Sequence, residues 1–491
     1  MIHSYNKAGK TRRIFGFTLG LIFLMCSLEI SGQETPQVMK LGINEAVELA
    51  IKNNLSLQNA RLDLDTKQRK SDLVWNQFLP SLSATGTLAR DNYATTTQQS
   101  MLVLPYGTGI PTTLPVYGTG ATYHEVFARL VPSMTLPNWH VMGNFSATLD
   151  FSFALIAGIQ TIHSDYQAGL VTLEKAKLQL ERDVRKMYNQ ILLLEQSTTL
   201  LRDNYENVTR QAAIAEANYN AGLVPRLSWL QAQVAVENMK PTIAEAENGL
   251  MMLKATFAMN LGLPYDTVFE FENFKTENFS IPLELTELIS KAATGKPDIL
   301  ELQKNIITLQ QSRKAAAMQL YTPFLRFGWT LSSTFNPMLN PFKDTWFSKD
   351  SWRGGGNFSI TLGYSFNSLF PFTKEGQGLK DLDNRVRSLN IALAQVIRGT
   401  ELEIFNKVNA LDKTQASMGA QNGAVELAEL TYKLTEEAYR AGLQDFQTLR
   451  GSALALEQAR YQLLSQQFSY INDLIDLEYA IGVPFGTINS R

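Results

Sequence analysis

The sequence predicts a mainly α chain that contributes four β-strands, built from a duplicated unit of a strand pair and a very long helix. Three observations predict it. Tyr219-Asn-Ala-Gly222-Leu223 recurs as Tyr439-Arg-Ala-Gly442-Leu443. Four short segments alternate apolar and polar residues with a period of two, and two stretches of more than sixty residues carry apolar residues at steps of three and four.

Residues 1 to about 32 read as a signal peptide: Lys7, Lys10, Arg12 and Arg13 precede the apolar run Ile14–Met25, and Ser31-Gly32 follow. That run is too short for a bilayer core of about 30 Å, which needs roughly 20 residues. Cys26, the one cysteine, excludes a disulfide framework and a thiolate zinc cluster. It is also a candidate lipid anchor, although bulky Met25 stands where a small residue is wanted. Lys+Arg 44 balances Asp+Glu 46, so the basic footprint of a nucleic-acid binder is missing. His3, His124, His140 and His163 never fall at i, i+3 or i, i+4, and neither a nucleophile–base grouping nor a phosphate loop stands out. We expect no cofactor, no metal and no enzymatic activity. Beyond the signal no apolar run reaches 18 residues, which leaves a β-barrel as the way to span a membrane.

Two repeats follow, 33–264 and 265–491. The tip motifs are 220 residues apart, as are Leu261-Gly262-Leu263-Pro264 and Ile481-Gly482-Val483-Pro484. Upstream, the shift between Phe78-Leu79-Pro80 and Tyr321-Thr322-Pro323 is 243, so the first repeat carries extra loop between Pro80 and Gly222. Each repeat reads helix, strand, loop, strand, long helix, tight turn, helix. The strands are expected at about 82–92 and 143–154, then 324–334 and 357–367. Phe145, Ala147, Leu149 and Phe151 alternate with Ser146, Thr148 and Asp150; Phe358, Ile360 and Leu362 alternate with Ser359 and Thr361. One face is apolar and the other is wet.

The long helices, about 159–221 and 375–441, would be roughly 95–100 Å long. Leu180, Val184, Met187, Ile191 and Leu194 form a narrow coiled-coil seam on the first; Leu379, Leu382, Val386, Leu389, Leu393 and Val396 form one on the second. Gly222 and Gly442 sit where each helix must end, because glycine takes the left-handed cap position without a Cβ clash. Ser228 and Thr448 are candidate N-caps of the returning helices. Pro241 is expected to kink or split the first of them.

Strands with one apolar face fit a bilayer only when closed, because open edges leave backbone groups unpaired in hydrocarbon. Four strands cannot close. Two chains give eight strands and a filled interior, whereas three give twelve and a lumen, so a homotrimer is the smallest useful assembly.

This layout resembles the TolC-like outer-membrane efflux proteins, whose tips carry a Tyr-x-x-Gly-Leu pattern like Tyr219–Leu223 and Tyr439–Leu443; the resemblance covers essentially all of the mature chain. It implies a trimeric 12-stranded outer-membrane β-barrel, surrounded by outer-membrane lipid and continued by a periplasmic α-helical barrel. Such proteins are passive conduits for small molecules, joined through a periplasmic adaptor (membrane fusion) protein to an inner-membrane transporter. A type I protein secretion duct uses the same tube, and a periplasmic coiled-coil scaffold is the alternative from another class.

The resemblance makes Gly222, Leu223, Gly442 and Leu443 candidate adaptor-docking tips, and Tyr219, Arg226, Tyr439, Gln444, Asp445 and Arg450 candidates for the periplasmic gate. Asp and Arg links close the mouth in better-studied members; the matching positions here hold Ser228, Gln444, Thr448 and Gly451, so any latch must use other pairs. Glycine could equally only cap, and the tyrosines could only pack between helices. The segment 93–142 reads as an extracellular cap or a solvated loop. Trp346 and Trp352 read as loop residues at the lipid interface or packed within their loop. Met251-Met252 read as core filler rather than soft-metal ligands.

Overall fold

A computed structural model describes residues 39–90, 139–272, 284–335, 352–366, 370, 372–441 and 443–488. The expected signal peptide, Cys26, Trp346, Gly442 and residues 93–138 of the expected loop 93–142 lie outside these, while the last four residues of that loop, 139–142, fall in a strand and not in a loop. The elements in order are β1 (Met39–Leu41), α1 (Ile43–Asn53), α2 (Leu55–Asp72), a short 3-10 turn, β2 (Ser81–Arg90), β3 (Trp139–Ser152), α3 (Phe153–Asn220) and α4 (Arg226–Asn260). They continue with β4 (Phe269–Phe271), α5 (Leu285–Gly295), α6 (Pro297–Tyr321), β5 (Phe324–Phe335), β6 (Trp352–Gly363), α7 (Lys374–Arg440) and α8 (Phe446–Ile481). The chain divides into two units, 66–168 with 304–390, and the remainder.

The first of these units holds an antiparallel sheet of order β2-β3-β5-β6. Residues directly opposite one another share a face, so the register tests the period-two pattern. Phe145 lies opposite Leu331 and Ala147 opposite Trp329; Trp329, Phe327 and Leu325 then lie opposite Phe358, Ile360 and Leu362. The apolar residues thus form one continuous face, with Phe145 and Trp329 edge to face at 5.8 Å. That face is uncovered: Phe358, Ile360 and Leu362 are 64%, 60% and 74% exposed. The opposite face is polar, with Ser83 Oγ 2.7 Å from Ser146 Oγ, and Arg326 Nη2 donating to Asp150 Oδ2 at 2.9 Å. Among the described residues, β2 and β6 each pair on one side only.

Two expectations need correction here. Trp352 opens β6 opposite Phe335, their rings 5.5 Å apart, instead of lying in a loop. The strand starts earlier than about 357 because Gly354-Gly355-Gly356 pairs in the ladder without showing any alternation to read. α3 also begins directly at the strand end, at Phe153 rather than about 159.

The other unit contains a feature the sequence did not announce: β1 and β4 pair in parallel, Met39 opposite Phe269 and Leu41 opposite Phe271. Leu41, Ala46, Val47 and Ala50 pack there against Val184, Ile191, Phe257 and Phe468. Tyr188 locks the sheet to α3, its hydroxyl donating to Leu41 O at 3.0 Å and accepting from Glu272 N at 3.2 Å. The seam residues Val184 and Ile191 are fully buried, and Leu180 and Met187 pack on the same cluster. On α7 the seam continues as buried Thr400, Ile404, Leu411, Thr414 and Met418.

The single helix expected before each strand pair is broken in two. Asn54 ends α1 and starts α2: its Oδ1 accepts from Leu57 N at 3.1 Å while its Nδ2 donates to Asn260 O at 3.0 Å. Pro297 starts α6, where a missing N–H costs nothing. Two glycines seal the corresponding corners. Gly262 (φ +71) and Gly482 (φ +76) end α4 and α8 in the left-handed conformation, and a Cβ would lie 2.7 Å from Asn53 O at the first and collide with Gly295 O at the second. Pro241 does not split α4, which runs unbroken from Arg226 to Asn260 with buried Ala232 and Ala235 before the proline and Phe257 and Ala258 after it. Packing on both sides outweighs one lost hydrogen bond.

Lys186 and Lys407 both donate to Asp476, at 2.9 and 2.8 Å, and Lys407 reaches Asp473 at 2.8 Å, tying α3, α7 and α8 together. Burial alone would raise the Asp476 carboxyl, but the hydrogen bonds from Lys407 and Lys186 outweigh it and hold the group below its ordinary value. A depressed carboxylate contributes stability above its unfolded pKa, about 3.9, that is lost as pH falls through the lower folded value. Asp476→Asn is therefore expected to cost about 1–3 kcal/mol at neutral pH, and the wild-type–variant gap in urea midpoints should shrink below about pH 4.

Candidate gate and docking tips

Each tip is a helix end followed by a short reversal. At the first, Gly222 (φ +73) lets Leu223 N donate to Asn218 O at 2.9 Å, and Gly222 N to Tyr219 O at 2.9 Å, consuming carbonyls that the end of α3 would leave unpaired. Nothing lies within 4 Å of a Cβ at Gly222, so conformation, not space, requires glycine there. The second tip matches it, with Leu443 N donating to Ala438 O at 2.9 Å. Leu223 and Leu443 project 74% and 79% exposed.

The N-cap expectations need revision. α4 starts after Pro225 with no side-chain cap, and Ser228 contributes only its backbone N–H, to Pro225 O at 3.0 Å. α8 is capped by Asp445, whose Oδ1 accepts from Thr448 N at 2.7 Å. Thr448 is the donor, three residues into the motif. Its side-chain and backbone hydrogen bonds hold the Asp445 carboxyl below its ordinary value. Asp445→Asn should leave the cap in place and Asp445→Ala should fray the first turn of α8, read as faster amide exchange at Thr448.

The two tyrosines differ. Tyr439 is buried, its ring edge on to Phe446 at 6.3 Å, in a cluster with Val208, Ala215, Ala232, Ala235 and Leu449 that joins the two hairpins. Burial pushes its phenol upward. Tyr219 instead stacks flat on Trp229, 5.4 Å between centroids and 4° between planes. Of the other candidates, Arg226, Gln444 and Asp445 are exposed and Arg450 is half-buried. No ion pair joins Arg226, Asp445 and Arg450 to one another among the described residues, so one chain does not assemble a latch. Sequence reasoning missed Trp229 and Phe446, the two rings that hold the tyrosines. The apolar Phe446 directly after a capping Asp was the available signal.

Elsewhere, Met251 and Met252 are 63% and 69% exposed and do not fill a core. The described residues include no group of three His, Cys, Asp or Glu placed to hold a metal, and no described helix is long and apolar enough to cross a membrane.

A family model described as outer membrane efflux protein matches residues 46–252. Over that stretch the chain is similar to the outer membrane efflux proteins. Its relatives include the antibiotic efflux pump outer membrane protein ArpC and the toluene efflux pump outer membrane protein TtgC, both of Pseudomonas putida. Each is 22% identical over 457 residues, covering 90% of this chain and 82% of the relative. The fold is similar to that of the CmeC outer membrane channel of Campylobacter jejuni, with a TM-score of 0.70 at 14% identity, covering 90% of this chain and 85% of that one. The chain is thus similar over most of its length to outer-membrane efflux components, and its four-stranded sheet presents a bare apolar face.

Proposed function

We propose that this protein works as a homotrimer whose three sheets close into one 12-stranded outer-membrane barrel, β2 of each copy against β6 of the next, continued by the long helices as a periplasmic tunnel. The observation that carries this is a four-stranded sheet that, among the described residues, has one apolar face left bare and both edges unpaired. Edges in hydrocarbon must be closed, and only further copies can close them. The conduit is passive: a periplasmic adaptor and an inner-membrane transporter supply the drive. Small molecules are the cargo we favour, since the relatives' names specify antibiotic and toluene efflux; protein secretion is the runner-up. A soluble periplasmic scaffold would have no use for Phe358, Ile360 and Leu362 displayed outward. The proposal also includes removal of residues 1–32 on export and origin of 33–264 and 265–491 by duplication. Heat-resistant trimers in outer-membrane fractions, with stepwise conductance in planar bilayers, would support it; recovery of monomer in the soluble periplasm would end it.

At the tips, Gly222, Leu223, Gly442 and Leu443 dock the adaptor, and Arg226, Gln444, Asp445 and Arg450 form the polar gate between neighbouring copies, with Tyr219 and Tyr439 setting the spacing of the helices behind it. Leu223 and Leu443 are apolar knobs left largely exposed by the described residues. Leu443→Asp is expected to abolish export in cells that depend on this protein, a loss of tenfold or more in tolerated drug if one buried apolar contact of about 1.5–3 kcal/mol per copy is lost, while trimer yield stays unchanged. Unaltered tolerance would remove the tips from docking.

A further inference from the structure

The connections between strands and helices carry large apolar side chains that the described residues of their own unit leave exposed. Trp75 and Phe78 precede β2, Phe153 follows β3, Tyr321 precedes β5, and Phe366 and Phe372 follow β6; all are between 41% and 77% exposed. All four strands therefore turn into helix through a step that keeps aromatic rings at the surface. Trp and Tyr, whose rings carry a polar group, settle at the boundary between hydrocarbon and headgroups, and girdles of aromatic residues flank the apolar band of membrane β-barrels.

The charges of the same unit are one-sided. Its segments on the helix side of the strands, 66–80, 153–168, 304–323 and 364–390, hold ten Lys and Arg against five Asp and Glu, in a chain whose net charge is -2. Two of those five acids are already engaged, Asp165 by Lys67 at 2.8 Å and Asp383 by Arg313. Lys70 in the last turns of α2, Lys314 in the last turns of α6 and Lys374 at the start of α7 are exposed and make no ion pair among the described residues. Long lysine stems can lie along an apolar surface while the ammonium reaches polar groups.

We propose that these junctions form a collar that seats on the membrane leaflet nearest the helices and selects anionic phospholipid headgroups, the aromatic rings fixing depth and Lys70, Lys314 and Lys374 binding phosphate. This rests on the barrel reading and deepens it. Anionic headgroups are the occupant that the surplus of positive charge fits; a second copy of the chain would bring the same surplus and repel it.

The test uses the full-length protein reconstituted in vesicles of phosphatidylcholine, with or without phosphatidylglycerol. Wild type should enrich phosphatidylglycerol among its retained lipids, and Lys70→Gln/Lys314→Gln/Lys374→Gln should lose that preference by about 5-fold per lysine, near 100-fold in all. High salt should weaken the wild-type preference in the same direction. Fluorescence lost in Trp75→Phe should be the fraction quenched by phospholipids brominated near the headgroup. An unchanged phosphatidylglycerol preference in the triple variant would overturn the proposal, as would a Trp75 that brominated lipid cannot quench, which would mean that another copy or the lumen covers this face. Failure of the wild type to insert at all would sink the barrel reading itself, and the collar with it.

Discussion

Arginine at both Phe358 and Ile360 is expected to eliminate the membrane-inserted protein. Both residues stand on the bare apolar face of β6, opposite Trp329 and Phe327. An arginine on the lipid face of a barrel costs about 2–4 kcal/mol near the midplane. Two would therefore cost each chain about 4–8 kcal/mol, comparable with the whole stability of many domains. The matched control is Asn357→Arg, one residue away and on the opposite, wet face across from Thr330. That variant should insert and change only conductance. Membrane fractionation followed by unheated gel electrophoresis separates the outcomes: no trimer for the double variant, normal trimer for the control. If the double variant inserts normally, the outward face is not the lipid face.

Gly482→Ala should be the most damaging single methyl in the helical unit. A residue other than glycine costs about 1–2 kcal/mol in the left-handed region, and the new Cβ would collide with the carbonyl of Gly295, adding about 1–3 kcal/mol of overpacking. We expect a loss of about 3 kcal/mol, seen as a lower urea midpoint. Gly222→Ala provides the comparison. It has the same sign of φ but open space around it, so only the conformational cost of about 1–2 kcal/mol applies. Equal losses at the two positions would mean that the Gly482 contact with α5 contributes nothing.

Much of this was legible because it obeys a period. Phe145, Ala147, Leu149 and Phe151 declare a two-faced strand whatever surrounds them, and the register then carries that face across four strands. Val184 and Ile191 declare a seam in the same way, and Gly222 marks a helix end because left-handed backbone excludes almost everything else. What stayed hidden lacks a period or depends on distant partners. Three-residue β1 and β4 are too short to alternate twice, and they pair across more than two hundred residues of sequence. The break at Asn54 depends on a hydrogen bond to Asn260, far along the chain. Pro241 reads as a stop only if packing on either side is ignored. The candidate site was legible in part: the exposed leucines stand where glycine and chain reversal put them, but whether Tyr439 faced a lumen or a core turned on Phe446 and Val208, which come from different hairpins.

The central claim is that β2 of one copy pairs with β6 of another. Within one chain the two strands are separated by β3 and β5, three strand spacings or about 14 Å, whereas a disulfide needs Cα atoms within about 7 Å. With Cys26 replaced by serine, a cysteine at Thr85 combined in turn with one at Asn357, Ser359 or Thr361 can therefore cross-link only between copies. Oxidation in outer-membrane fractions is predicted to give, for at least one pair, a ladder of monomer, dimer and trimer that stops at three. No cross-link at any register, or a ladder that climbs past three without closing, would contradict the barrel.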